Sequence, residues 1–261
     1  MIKTRLIPVL YIKNGLIVRS EGFSYHQNIG NIINEAKRYN EWGVDELIYI
    51  DISREKYYDL RRDDHKIKSS NSIGDIIKKI SKVCFMPLTF GGGIRTIEDI
   101  DYRIRNGADK ITLNTGAIEN PKLISQAAEK YGSQAVVISI DYKIIGEQPI
   151  VFNNFGQKNT KKNLIDWIKK CEKLGAGEVF INSIDRDGQA NGYDIKTIKK
   201  VVGSTKLPVI ACGGAGNLND FVDLAKNVKV SAIAAGNIFH FTELSYPKAK
   251  DLLKQKGLNF R

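Results

Sequence analysis

The chain has 261 residues, 42% of them apolar and 26% charged, with 40 Lys and Arg against 29 Asp and Glu for a net charge of +11. That length matches the roughly 250 residues of one β/α barrel, and the ordinary balance of apolar to charged residues excludes a disordered, collagenous or disulfide-scaffold chain. No apolar run approaches the roughly 20 residues that span a bilayer, and the basic start (Lys3, Arg5) precedes only a short apolar stretch with no small-residue cleavage site, so neither a membrane span nor a secretory signal is expected.

In chain order, short β-branched runs at 5–12, 46–52, 87–90, 110–113, 135–142, 178–183, 208–212 and 232–235 read as strands. Between them lie amphipathic stretches, with Ile32, Ala36 and Tyr39 at i, i+4, i+7 and Leu164, Ile168 and Cys171 at the same spacing. Gly43, Gly107, Gly132 and Gly175 stand where helices should stop, because glycine adopts the left-handed cap conformation without strain. Strand and helix alternating at this spacing demand parallel strands with right-handed crossovers. About eight units fit, so the expected fold is α/β, a single eight-stranded parallel β/α (TIM) barrel.

The second half replays the first. GVDELIYIDI (43–52) resembles GAGEVFINSID (175–185), LTFGGGIRTIEDI (88–100) resembles VIACGGAGNLNDF (209–221), and ADKITLNTGAI (108–118) resembles SAIAAGNIF (231–239). So long a period implies an internal duplication, two half-barrels of roughly 1–131 and 132–261 in one domain. A polar loop at 53–70 breaks the symmetry and falls on the face where such barrels build active sites.

The turns after the strands carry the chemistry. Gly91-Gly92-Gly93, Asn114-Thr115-Gly116, Gly213-Gly214-Ala215-Gly216 and Gly236-Asn237 are glycine-bearing, and Asp185-Arg186-Asp187-Gly188 is a further polar turn. Glycine lets backbone N–H groups approach an anion closely, and a helix N-terminus behind the turn favours negative charge. One such turn is weak, since βα turns use glycine for geometry alone. Their duplication is stronger, giving two phosphate nests on opposite sides of one mouth, suited to a ligand with a phosphate near each end. Cys84, Cys171 and Cys212 are odd in number and far apart, which suits reduced thiols in a cytoplasmic protein. His26, His65 and His240 have no neighbours at metal spacing, so no metal or cofactor is expected. The lysines (Lys78–Lys79, Lys161–Lys162, Lys169–Lys170, Lys199–Lys200) are dispersed over helical surface positions without interleaved aromatics. They read as a solvated face rather than a nucleic-acid interface.

The segments IPVLYIKNG, RYNEWGVDEL, FGGGI, GADKITLNT, ENP, GSQAVVISIDYK, GAGEVFINSIDRDG, GYD, LPVIACGGAG and NIFHF resemble the cyclase subunit of imidazole glycerol phosphate synthase over nearly the whole chain. The resemblance implies a barrel that receives ammonia from a glutaminase partner in a heterodimer and uses it on a small substrate with two phosphates. It places one phosphate site on Gly93, Asn114 and Thr115 and the other on Asp187, Gly188, Gly213, Gly214, Gly236 and Asn237. Arg5, Glu46, Lys110 and Glu178, at the starts of the first, second, fourth and sixth strands, match the family's charged ammonia gate, and Asp109 falls on the partner-facing end. As residues alone, four charges of alternating sign at strand starts read as a neutralised ring around the barrel axis or as a structural salt-bridge cluster.

Two positions depart from the family. Its chemistry uses an aspartate at the ends of the first and fifth strands; Asp141 supplies the second, but Tyr11 stands in place of the first. The repeat aligns 10–13 with 140–143, so Tyr11 is the true twin of Asp141. A phenol of ordinary pKa near 10 cannot act as a base at neutral pH, although it can donate a hydrogen bond. Arg19 replaces the usual lysine, keeping charge and changing geometry. An intact gate and intact phosphate turns beside a lost carboxylate point to a divergent branch. The favoured expectation is amidino-group formation on a sugar for surface polysaccharide, with a sugar amidotransferase as a further partner; the TELSYPKAKDLL tail resembles that branch. The alternatives are a true synthase cyclase in histidine biosynthesis, which two terminal phosphate nests favour, and a non-catalytic ammonia conductor that activates a glutaminase.

Overall fold

The computed structural model describes residues 3–53, 58, 72–241 and 243–261. Most of the 53–70 loop and His65 therefore lie outside the described residues. Strand β1 (Arg5–Lys13) sets the geometry of the rest. Successive side chains of a strand point to opposite faces. Leu6, Leu10 and Ile12 accordingly join the apolar layer between strands and helices, while Ile7, Val9 and Tyr11 join a second cluster inside the barrel. One inward-facing file thus runs from Arg5 at the bottom of the barrel to Tyr11 at its mouth.

The barrel continues through β4 (Leu47–Asp51), β5 (Leu88–Gly91), β6 (Lys110–Leu113), β7 (Val136–Ile145), β10 (Glu178–Ser183), β11 (Val209–Cys212) and β12 (Ala232–Ala235). All eight pair in parallel, and β12 returns to β1 to close the ring. The expected strands recur within a few residues of their boundaries. Helices α1 (Ile32–Glu41), α2 (Ile73–Ile80), α3 (Ile97–Arg105), α4 (Thr115–Glu119) and α5 (Lys122–Tyr131) follow in the first half. In the second half come α6 (Leu164–Lys173), α7 (Ile195–Val202), α8 (Leu218–Asn227), α9 (Ile238–Phe241) and α10 (Ser245–Gln255). Ile32, Ala36 and Tyr39 are buried on α1, and Leu164, Ile168 and Cys171 on α6, as their spacing requires. Gly43, Gly107, Gly132 and Gly175 all take positive φ. Among the described residues, no helix is long and apolar enough to cross a membrane.

Simple strand–helix alternation omits two hairpins. Strands β2 (Leu16–Glu21) and β3 (Tyr25–Gly30) fold back from β1, and β8 (Gln148–Asn153) and β9 (Lys158–Asn163) fold back from β7. Strand β9, KNTKKN, has no apolar alternation and holds its form through pairing with β8, while its lysines discourage further strands from adding at that edge. The visible signal was the turn Asn14-Gly15, whose residues have φ of 49° and 77° as a tight hairpin demands. The two hairpins occupy corresponding places, one after each of the twinned strands. In register, Tyr11 pairs with Ile50 of β4 and Val18 of β2, just as Asp141 pairs with Asn182 of β10 and Phe152 of β8. Capping boxes complete the match: Thr96 with Asp99 starts α3, and Asn217 with Asp220 starts α8, each just after a glycine turn.

Candidate active site

The inward files of the barrel carry charge at one end and polar groups at the other. At the bottom, Arg5 contacts both Glu46 (2.5 Å) and Glu178, and Lys110 contacts the same two carboxylates at 3.0 and 3.2 Å. Each cation touches both anions, so the four residues form a closed ring around the axis. Thr89 adds a hydrogen bond to Glu46 at 2.9 Å. Burial pulls the Arg5 pKa down, but the two carboxylates outweigh it and hold the guanidinium above its ordinary value. Asp109 is exposed at the same end, where one carboxylate oxygen accepts the N–H of Leu88 at 2.8 Å.

At the mouth, two cavities lie side by side. The larger, about 580 Å³, is lined by Asp51, Gly92, Gly93, Asn114, Thr115, Ser139 and Asp141 among others. The smaller, about 260 Å³, is lined by Arg19, Asp187, Gly188, Gly213, Gly214, Gly236 and Asn237. Every residue expected at the two phosphate sites therefore lines the cavity of its own half. Tyr11 lines both.

The glycines are needed because backbone fills the space a side chain would take. A Cβ on Gly92 would fall 1.9 Å from the carbonyl oxygen of Asp51, and one on Gly214 would fall 2.1 Å from that of Gly192. Both residues also have positive φ, so no other residue fits these turns without moving a neighbouring strand or loop.

Two of the expected ligand residues hold the first hairpin instead of presenting free side chains. Asp187 accepts hydrogen bonds from Ser20 Oγ at 2.8 Å and from the N–H of Phe23 at 3.4 Å. Asn237 donates to the carbonyl of Ser20 at 2.6 Å and accepts its N–H at 3.3 Å. A carboxylate repels a phosphate, so Asp187 suits the work of tying β2 to the mouth. Gly188 allows the same approach, since a Cβ there would lie 2.8 Å from Ser20 O. Arg19, half-buried beside this cavity, is paired with Glu21 at 3.1 Å.

Asp141 is buried, and Asn114 Nδ2 donates to its Oδ2 at 2.7 Å. Burial raises its pKa to about 7; Asn114 opposes the shift and the charge of Asp187 adds to it. A carboxyl near 7 is half-ionised at neutral pH and can give or take a proton. Tyr11 is its opposite. Burial drives the phenol well above its ordinary pKa, reinforced by Cys212, Asp187 and Asp141 and only partly relieved by Asn182. Its hydroxyl accepts from Asn182 Nδ2 at 3.0 Å and keeps its own proton for donation. Asp141 therefore offers the mouth a carboxyl tuned for acid–base work, and Tyr11 a fixed neutral hydroxyl.

Asn182, Ser20 and Arg103 also shape this region without having been singled out from sequence. Asn182 was legible as the inward neighbour of Phe180 on β10, two residues on. Arg103 was legible as a cation on the buried stripe of α3, three residues after Ile100. Ser20 carries no sequence signal of its own; its place follows from the hairpin.

Residues 5–245 match the family of histidine biosynthesis proteins. Over the full length of both chains, the protein is 41% identical to imidazole glycerol phosphate synthase subunit HisF of Sulfurisphaera tokodaii, 38% identical to that of Natranaerobius thermophilus and 39% identical to that of Saccharolobus solfataricus. A closed eight-stranded parallel barrel and similarity along its whole length lead to one conclusion: the chain belongs to the histidine biosynthesis protein family.

Proposed function

We propose that the chain is the ammonia-accepting cyclase subunit of an imidazole glycerol phosphate synthase, acting on a small substrate with a phosphate at each end. The observation that carries this reading is axial. Two glycine nests and Asp141 open on one end of the barrel, and a closed ring of charges lies at the other. Full-length similarity to HisF subunits supports the same reading, and nothing in the names of those relatives points to polysaccharide, so the amidino-sugar role loses its place as the favoured one. In this reading the chain is one domain of two half-barrels.

Gly93, Asn114 and Thr115 take one phosphate; backbone N–H groups around Gly188, Gly213, Gly214, Gly236 and Asn237 take the other, with Arg19 near by. Ammonia enters from a glutaminase subunit docked at the end bearing Asp109. It passes the ring when Lys110, on its flexible stem, swings aside, and travels the apolar interior of Ile7, Val9, Ile48 and Val137. Asp141 exchanges protons with the substrate, and Tyr11 only donates.

Tyr11 favours a second reading, in which the barrel delivers ammonia to a different acceptor, such as an acetamido sugar held by a sugar amidotransferase. Mixing the chain with the glutaminase subunit and the bisphosphate substrate of the synthase separates the two. The expected result is a one-to-one complex on sizing and slow turnover that depends on glutamine. Two separate peaks at micromolar concentration would refute the partnership. Substrate binding with no turnover, even with ammonium salts, would favour the second acceptor.

A further inference from the structure

Helix α3 carries a buried cation that the chemistry above does not use. Arg103 is 5% exposed, and a guanidinium without water must find partners for its donors within the protein. Its Nη1 donates to the carbonyl of Asp99 at 2.9 Å and its Nη2 to the carbonyl of Gly92, while its buried Nε has no partner among the described residues. Asp51, hydrogen-bonded by Tyr58 at 2.7 Å, supplies negative charge close by.

Gly92 and Gly93 line the larger cavity. In a planar trans peptide, the carbonyl and the following N–H point in opposite directions. With its carbonyl held on Arg103, the Gly92–Gly93 peptide turns the N–H of Gly93 away from the guanidinium, and Gly93 itself lines the cavity. A Cβ built on Gly93 would lie 3.7 Å from Nη2, so the positive charge sits directly behind the turn. Packing of Gly92 against the Asp51 backbone leaves that peptide little freedom to rotate otherwise.

We propose that Arg103 is a positioning residue of the first anion nest: its guanidinium clamps the Gly92 carbonyl, aims the Gly93 amide at a bound phosphate and adds a poorly screened positive charge behind it. This rests on the reading of that turn as a phosphate site.

The test titrates the isotopically labelled full chain with inorganic phosphate and follows the amides of Gly93 in the first nest and of Gly214 in the second. In the unmodified protein both respond. In Arg103→Met, affinity reported by Gly93 falls about tenfold or more, the scale of one charge-assisted hydrogen bond, while Gly214 titrates unchanged. Arg103→Lys keeps the charge without the two-carbonyl fork and recovers part of the loss, again at Gly93 alone; it decides the matter if the methionine variant does not fold. Unchanged titration at Gly93, or equal weakening at both nests, would overturn the role of Arg103. No response at Gly93 in the unmodified protein would overturn the phosphate reading, and this proposal with it.

Discussion

Tyr11→Asp puts a carboxylate in the slot that pairs in register as Asp141 does. A positioned acid–base group contributes about 10²–10⁴-fold to rate, which sets the ceiling of the expected gain in turnover with ammonium salts and the bisphosphate. The structure lowers that ceiling. Tyr11 is 8% exposed and borders both cavities, of about 580 and 260 Å³, so removing the ring enlarges the space there and admits water. Asp141 and Asp187 already act on this position, so a new carboxyl there is pushed upward and is incompletely ionised at neutral pH. A gain of about 10–100-fold is therefore expected. Stability should fall by about 2–4 kcal/mol, toward the low end for loss of an aromatic side chain because the site opens onto solvent. The hydrogen bond from Asn182 is also lost. Tyr11→Asn is the control, with the same vacated volume and no acid–base group, so it should lose similar stability and gain no rate. Steady-state turnover and urea unfolding measure both effects. An unmodified protein turning over at about one per second or faster, in the ordinary enzyme range, would refute the argument that a second carboxylate is missing. Equal gains from Asp and Asn would show that ring removal, not proton transfer, sets the rate.

Asp141→Asn should abolish turnover and, unusually for an active-site change, stabilise the fold at alkaline pH. The folded-state pKa of about 7 lies above the ordinary carboxyl value, so the stabilising proton is fully present below about pH 4 and is lost as pH rises through about 7. The penalty sets in once pH exceeds the ordinary carboxyl value and reaches about 4 kcal/mol at pH 8; urea midpoints at pH 4 and pH 8 should show the variant gaining far more at the higher pH, and equal shifts at both would refute this. Arg5→Met leaves Glu46 and Glu178 with Lys110 alone between them, a loss of about 3–5 kcal/mol for breaking a buried charge cluster; an unchanged unfolding midpoint would mean that water already screens the ring. Gly92→Ala should cost about 3 kcal/mol or more because its Cβ meets the Asp51 carbonyl, whereas Gly93→Ala, whose Cβ would make only an ordinary van der Waals contact with Arg103 Nη2, should cost about 1 kcal/mol for its positive φ; thermal melts giving the two equal losses would refute the distinction.

The barrel was legible because its signals are local and repeated. Alternating β-branched runs, helical stripes and glycine stops recur about eight times, and each error of a residue or two at a boundary leaves the topology intact. The glycine turns at the mouth were legible for the same reason, since GGG and GGAG stand directly after strands. So was the oddity of Tyr11, because the repeat aligns it with Asp141. The hairpins were not. Strand β9 has no apolar residue and exists through its pairing, although Asn14-Gly15 marked the turn of the other hairpin.

What the sequence could not determine is the job of each polar side chain. Asp187 and Asn237 read equally well as phosphate ligands or as scaffold; contacts with Ser20, some 170 and 220 residues away, make them the anchor of a hairpin. Arg5, Glu46, Lys110 and Glu178 are four scattered charges until closure of the barrel brings them into one ring. Residue type and spacing along a chain determine which groups face inward, since pleat and helical period are properties of neighbours. Which partner each group meets, how far burial moves its proton and which way a peptide plane turns depend on atoms that only the closed barrel brings together.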